Sequence, residues 1–387
     1  MEVISKLFKK NIRQYGMIIA LVFISIFFQI LTDGILLKPL NVTNLILQNS
    51  YILVLAIGMV LVIITGHIDL SVGSVAAFIG ALSAIMMVNM QMNPVLAVTL
   101  SLLMGALVGA WQGFWVAYVK IPAFIVTLAG MLLFRGLTMI VLNGQSIAPF
   151  PKSFQKISSG FVPDFFHGST INLLTIVVGV ILSILVIYQE YKNRKVQTKY
   201  GFDQASVWLS IAKVGALVIL INLFTYVLAQ YNGIPNILVI LLVLIIIYSF
   251  VMNRMTMGRR IYALGGNEKA ANLSGVKTKR VTFWVFVNMG VMAALSGLLF
   301  AARLNSATPK AGVNFELDAI AACFIGGASA SGGIGTVVGA IIGGLVMGVM
   351  NNGMSLVGLG VDWQQGIKGL VLLFAVGFDI YNKSKTS

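Results

Sequence analysis

Long apolar runs recur along almost the whole chain, separated by short stretches that carry Gly, Pro, Asn or charge. A helix that crosses a bilayer needs about 20 mostly apolar residues. The runs therefore predict twelve membrane helices, over 16-32, 45-65, 70-90, 94-118, 122-142, 171-190, 207-229, 234-252, 281-302, 315-331, 335-352 and 363-380. Two longer interruptions stand out, Asn143 to Thr170 and Asn253 to Arg280, and each is a candidate docking surface for a partner. No internal repeat relates the two halves of the chain.

Composition sharpens this pattern. Of the 387 residues 58% are hydrophobic and 10% charged, with a mean hydropathy of +0.96, whereas soluble domains carry about 25% charged residues. The expected fold is an all-α polytopic transmembrane bundle, a single domain over 1-387 with no large soluble appendage. A net charge of +15, from 26 basic against 11 acidic residues, would suggest nucleic acid in a soluble protein. Here the distribution of charge explains it better, because basic residues gather in loops that stay in the cytoplasm. With the N-terminus inside and twelve crossings, eighteen Lys and Arg fall in inside loops and five in outside loops, while Arg135, Lys213 and Lys368 lie within or beside spans. Lys6, Lys9, Lys10 and Arg13 precede the first apolar run as in a signal sequence, but no small-residue cleavage site follows, so an uncleaved first helix is expected and both termini are expected in the cytoplasm.

The chemistry-bearing residues are few. Cys323 is the single cysteine and there are two histidines, which excludes a disulfide framework and leaves little for a zinc site. No Walker A run, paired carboxylates or Ser/His/Asp set can be assembled, so neither a catalytic nor a metal site is expected and the chain carries no energy source of its own. From Pro39 to Val119 the only formal charge is Asp69, in the run Gly66-His67-Ile68-Asp69-Leu70-Ser71-Val72-Gly73-Ser74. Two roles stay open there: a helix break capped by Asp69 or Ser71, and a pathway-lining segment in which Asp69 and His67 offer hydrogen bonds to hydroxylated cargo.

Between the eighth and ninth runs, Gly265-Gly266-Asn267-Glu268-Lys269-Ala270-Ala271-Asn272-Leu273-Ser274-Gly275 reads as a short helix with Asn267 as N-cap, Glu268 at its positive end and Gly275 as its stop. An ordinary solvated loop helix and a helix seated in a partner's groove are both compatible with it. Among the glycines from Gly326 to Gly353, Gly335, Gly339 and Gly343 recur at the four-residue spacing that lets membrane helices approach closely. Glu316 and Asp318 lie just before this stretch and Asn351 and Asn352 at its end. A proton relay is disfavoured, since Asp69, Arg135 and Lys368 are too few to string across a bilayer.

The run around Asp69, Ile121-Pro122-Ala123-Phe124-Ile125-Val126-Thr127-Leu128-Ala129-Gly130-Met131, Tyr262-Ala263-Leu264-Gly265-Gly266-Asn267, Leu273-Ser274-Gly275-Val276, Glu316-Leu317-Asp318-Ala319-Ile320-Ala321-Ala322 and Asn351-Asn352-Gly353 together resemble the permease subunits of bacterial ABC importers for monosaccharides, the ribose and xylose group, over nearly the whole chain. The length and an extra hairpin over 171-229 resemble the longer xylose-type members. His67 and the run Leu45 to Tyr51 resemble a branch that handles several monosaccharides such as xylose, arabinose, galactose or glucose. The resemblance implies a coupling loop over 253-280, with Gly265, Gly266, Asn267, Glu268, Ala270, Ala271, Leu273, Ser274 and Gly275 against an ABC ATPase subunit that uses ATP and Mg. It also implies a second permease copy as a homodimer, an extracytoplasmic sugar-binding protein, no nucleic-acid partner, and a place in the lipid bilayer of the bacterial cytoplasmic (inner) membrane. His67, Asp69, Ser71, Asn143, Asp318, Asn351 and Asn352 are the expected translocation-pathway residues. The rival readings are an ion-coupled secondary sugar transporter and a sugar-sensing receptor.

Overall fold

The computed structural model describes residues 2-166, 168, 171-200 and 206-384, with side chains from residue 16 onward except at 378, 379 and 381-384. Lys385 and the side chains of Lys6, Lys9, Lys10, Arg13 and Lys383 lie outside the described residues. Helices make up most of it: α1 Glu2–Leu31, α2 Pro39–Ile64, α3 Val72–Ala84, α4 Pro94–Phe114, α5 Ala123–Val141, α6 Lys152–Ser159, α7 Leu173–Lys199, α8 Val207–Ala229, α9 Asn236–Arg254, α10 Thr256–Gly266, α11 Glu268–Leu273, α12 Thr278–Leu304, α13 Phe315–Ile325, α14 Val337–Leu356 and α15 Val361–Ser384. Strand pairing among the described residues is limited to two isolated bridges, Ile147 with Ala307 and Phe161 with Pro235. Apolar solvent offers the backbone no partners, so each run closes its own ladder of hydrogen bonds. The all-α class is as expected.

Among the described residues nine helices are long and apolar enough to cross a bilayer. They match nine of the twelve expected runs; the others fall on the apolar part of α1 from Gly16 to Leu31, on α13 and on α15. At α13 the structure departs from the expected 315-331 span. The helix stops at Ile325 because the following stretch puts Gly327, Gly332 and Gly333 at φ between 73° and 79°, a region open to glycine and closed to a continuing right-handed helix. Helix ends elsewhere follow local chemistry. Asn93 accepts from Val95 N–H ahead of Pro94, Thr336 Oγ1 accepts from Gly339 N–H at 2.9 Å, and α3 and α4 each close with a wider π turn, Ile85–Asn89 and Trp115–Val119.

The chain divides into two compact units, one formed by 1-36, 45-159 and 237-387, the other by 37-44 and 160-236. In the first, α2, α3, α12 and α14 are the most enclosed of the long apolar helices. Close backbone approach through small residues builds this core. Side chains at Gly105 and Gly109 of α4 would collide with Gly290 and Phe286 of α12, and one at Gly297 of α12 would strike the Ala76 carbonyl of α3. Gly326, Gly339 and Gly343 do the same between α13 and α14, Gly343 lying over the Ala322 carbonyl. Cys323 sits fully enclosed on α13 and its thiol donates to the Ala56 carbonyl at 3.5 Å. The second unit contains the α7 and α8 hairpin foreseen over 171-229. Gly179 lets α7 meet Thr225, and Asn222 Nδ2 donates to Ser183 Oγ at 2.7 Å. Asp164 caps α7 from outside the helix, its carboxylate accepting from the N–H groups of Leu173 at 2.9 Å and Leu174 at 3.3 Å.

Candidate functional site

The break between α2 and α3 begins at Gly66, whose φ of +81° turns the chain out of helix. Asp69 follows, only 2% exposed, and its Oδ1 accepts from Ser71 N–H at 2.8 Å and Ser71 Oγ at 2.6 Å. Gln112 Nε2 of α4 then donates to Ser71 Oγ at 2.7 Å. Gly130 of α5 leaves the space that the Gln112 amide fills. A buried carboxylate needs such donors around it, and here they tie the break to two neighbouring helices. Gln112 stands seven residues before Val119, the end of that span, which places Ser71 roughly 10 Å inside it at 1.5 Å per residue. Helix α3 thus starts inside the bundle.

A second helix start meets the first. Gly73 of α3 and Gly312, at φ +74°, cross so closely that a side chain on either would run into the other's carbonyl oxygen. This crossing holds the N-terminus of α13, with Glu316 and Asp318 in its first turn. With 11 residues, α13 is roughly 16 Å long, about half the hydrocarbon thickness. Lys368 of α15 pairs with Asp318 at 3.0 Å. Beside them Tyr51 stacks on Phe315 with centroids 4.0 Å apart, and Phe300 packs edge-on against Phe315 at 4.9 Å.

On the face that carries the 253-280 loop, α10 and α11 meet at Asn267, whose Oδ1 accepts from Ala270 N–H at 3.0 Å. Gly275 then turns the chain at φ +83°. Ala271 is buried, whereas Leu273 is 90% exposed. The end of α10 is locked to two other segments. A Cβ on Gly265 would collide with the Ile64 carbonyl at the end of α2 and stand 2.7 Å from Gly333 N. Gly333 N–H itself donates to the Ile64 carbonyl at 2.8 Å, and Tyr262 Oη donates to the Gly335 carbonyl at 2.7 Å. Beside this joint opens a cavity of about 490 Å³ lined in part by His67, Lys120, Glu268, Asn272 and Lys279. Burial pushes the pKa of the His67 imidazolium down from its usual range, against the opposing pull of Glu268.

The expected pathway residues separate. Asp69 and Ser71 share one network, while His67 faces the cavity beside the loop. Asn143 is exposed beyond the far end of α5, about 24 Å along the helix direction from Thr127, whose hydroxyl reaches back to the Ile68 carbonyl. Asp318 pairs with Lys368, and Asn351 Oδ1 is buried without a hydrogen-bond partner. Gly335 lies ahead of α14 against Ile64, apart from the seam that Gly339 and Gly343 form. Gln112 escaped notice in the sequence, and Arg135 was noted there only as a charge within or beside a span. The signal was present, since each is an isolated polar residue within an apolar run.

A family model described as "Branched-chain amino acid transport system / permease component" matches residues 41–376. The xylose transport system permease protein XylH of Haemophilus influenzae is 39% identical over 380 residues, covering 98% of this chain and 99% of that protein. Its counterpart in Escherichia coli K12 is 37% identical over 97% of this chain and 94% of its own length. The ribose import permease protein RbsC of Bacillus subtilis is 35% identical, with 92% of this chain and 91% of that protein covered. No solved structure matches the chain at a significant level. With a break and a half-length helix meeting inside a bundle of apolar helices, and with similarity running nearly end to end, the chain belongs to this family of transport-system permeases.

Proposed function

We propose that the chain is the membrane-spanning subunit of an ATP-binding cassette importer and forms the route by which a monosaccharide enters the cytoplasm. Relatives named for xylose and ribose support the cargo class. A separate ATPase subunit, using ATP and Mg, drives the cycle; a sugar-binding protein delivers cargo outside, and a second copy completes the route in the bacterial cytoplasmic membrane.

One observation carries the coupling part of this reading. Leu273, 90% exposed on a capped helix of six residues, offers an apolar side chain that a groove in a partner can take up. Behind it, Gly265 joins α10 to the end of α2 and to the glycine turn ahead of α14. Displacement of α11 by a closing ATPase dimer is therefore delivered to the two helix starts that meet at Gly73 and Gly312. A conformational change needs such differential contact between states. The test is Leu273→Glu in cells or in liposomes. Loss of ATPase association and at least about a tenfold fall in uptake are expected, with normal membrane insertion. Full uptake by this variant overturns the coupling role, and sugar accumulation by the chain alone under an ion gradient would favour a secondary transporter.

A further inference from the structure

Arg260 of α10, with Lys277 and Arg280 at the start of α12, lines a cavity of about 300 Å³ whose walls also include Met257 and Trp284. The two helices pack against each other here, so three cations from two elements converge on one space. Among the described residues no carboxylate pairs with any of the three. Glu268 is the only acidic residue from Asn253 to Arg280, and it lines the separate cavity beside His67 with Lys120 and Lys279. The end of α12 thus has two faces. Thr278, Lys279 and Thr282 border the His67 cavity, where a carboxylate is present, and Lys277, Arg280 and Trp284 border this one, where none is. Like charges gathered without a counter-charge repel, and an anion between them relieves the repulsion. The N-cap position of α12, Lys277, supplies no side-chain cap, so the free N–H groups of the first turn add to the positive potential.

We infer that this cavity binds the phosphodiester of an anionic phospholipid. Helix α12 is among those long and apolar enough to cross a bilayer, and Trp284 on it is 57% exposed. The indole stands about 6 Å further along the helix axis than Arg280. A bare tryptophan one turn inside a rim of cations is the arrangement of a membrane boundary, where indoles settle at headgroup level and basic pockets take lipid phosphates. Arg260 and Arg280 offer forked donors that match phosphate oxygens in pairs, and Lys277 adds a point charge. Ligand pockets begin at roughly 300 Å³, far above the 10–15 Å³ or so that one water needs, so the space admits a headgroup. Free phosphate shares the charge chemistry, but only a lipid also uses the exposed indole. A bound phosphate ties α10 to the start of α12 and braces the loop at the membrane surface.

The site rests on the membrane span of α12 and not on the importer reading. The full chain in vesicles is compared with its Trp284→Phe variant, and the difference in emission isolates Trp284 from the others of the five tryptophans. Quenching by phosphatidylglycerol with brominated acyl chains is measured against brominated phosphatidylcholine at equal mole fraction. At Trp284 phosphatidylglycerol is expected to be preferred at least about twentyfold in relative affinity, and Arg260→Gln or Arg280→Gln each to lower the preference about fivefold. Arg259→Gln removes the same charge from α10 at a position that does not line the cavity, and is expected to change the preference less than about twofold. An equal fall in Arg259→Gln would leave only the general positive potential of the loop face and overturn the site; so would an unchanged preference in both cavity variants. Each preference is a ratio between two lipids for one protein, so a poor yield of folded variant does not imitate the result. Millimolar inorganic phosphate, against chloride of the same ionic strength, is expected to leave the preference intact, as is addition of the proposed ATPase subunit. Loss with phosphate would assign the cavity to the free ion, loss with the subunit would assign the cations to that protein, and either outcome overturns the lipid assignment.

Discussion

Asp69 gathers three groups that would otherwise be stranded in an apolar interior: Ser71 N–H, Ser71 Oγ and, through that hydroxyl, the Gln112 amide. Replacing it with Ala is expected to cost about 3 kcal/mol, since buried donors lose a charged acceptor. Asn keeps an acceptor oxygen and is expected to cost about 1 kcal/mol. Thermal midpoints of the detergent-solubilised protein check both, and equal midpoints for the two variants would refute the network. That Asp69 is singular was legible in the sequence, and so was its fitness as a cap. Its dependence on Gln112 was not, because the bond joins residues 41 positions apart and no local pattern points from one to the other.

Helices report their own ends more plainly. The caps at Asn267 and the stop at Gly275 emerged as the residue types foretold, and nine long runs became nine long helices. The glycine stretch after Ile325 was ambiguous, because four-residue spacing serves both a packing seam and a turn. Averaged hydropathy cannot tell a half-length helix followed by glycines from a full span. Ahead of α7, desolvation is the largest single influence on the Asp164 carboxyl and raises its pKa, but four backbone donors, from Phe166, Leu173, Leu174 and Gly168, together outweigh it and hold the group below the ordinary carboxylate range. A depressed folded pKa means the cap is in force above the unfolded value and is lost as pH falls through the folded one. Hydrogen exchange at the first turn of α7 is expected to stay protected until pH drops below the ordinary carboxylate range. In Asp164→Asn protection is expected to be lower at neutral pH and nearly flat in acid; a parallel acid transition in that variant would contradict the cap.

At the scale of the molecule, the contact of Gly265 with Ile64 and Gly333 links the loop face to the helix starts inside the bundle. Gly265→Val is expected to leave ATP hydrolysis within about twofold while uptake falls roughly tenfold, the signature of broken coupling between sites. Sugar delivered per ATP consumed is the measurement, and an unchanged ratio would show that the joint transmits nothing. Watching it move is made practical by Cys323. As the only thiol in the chain, sealed against the Ala56 carbonyl, it escapes maleimide reagents while the protein stays folded. A cysteine introduced at an exposed position on α11 therefore carries a fluorophore or spin probe in an otherwise unmodified background, and the cycle can be followed in real time without first engineering the native sulfur away.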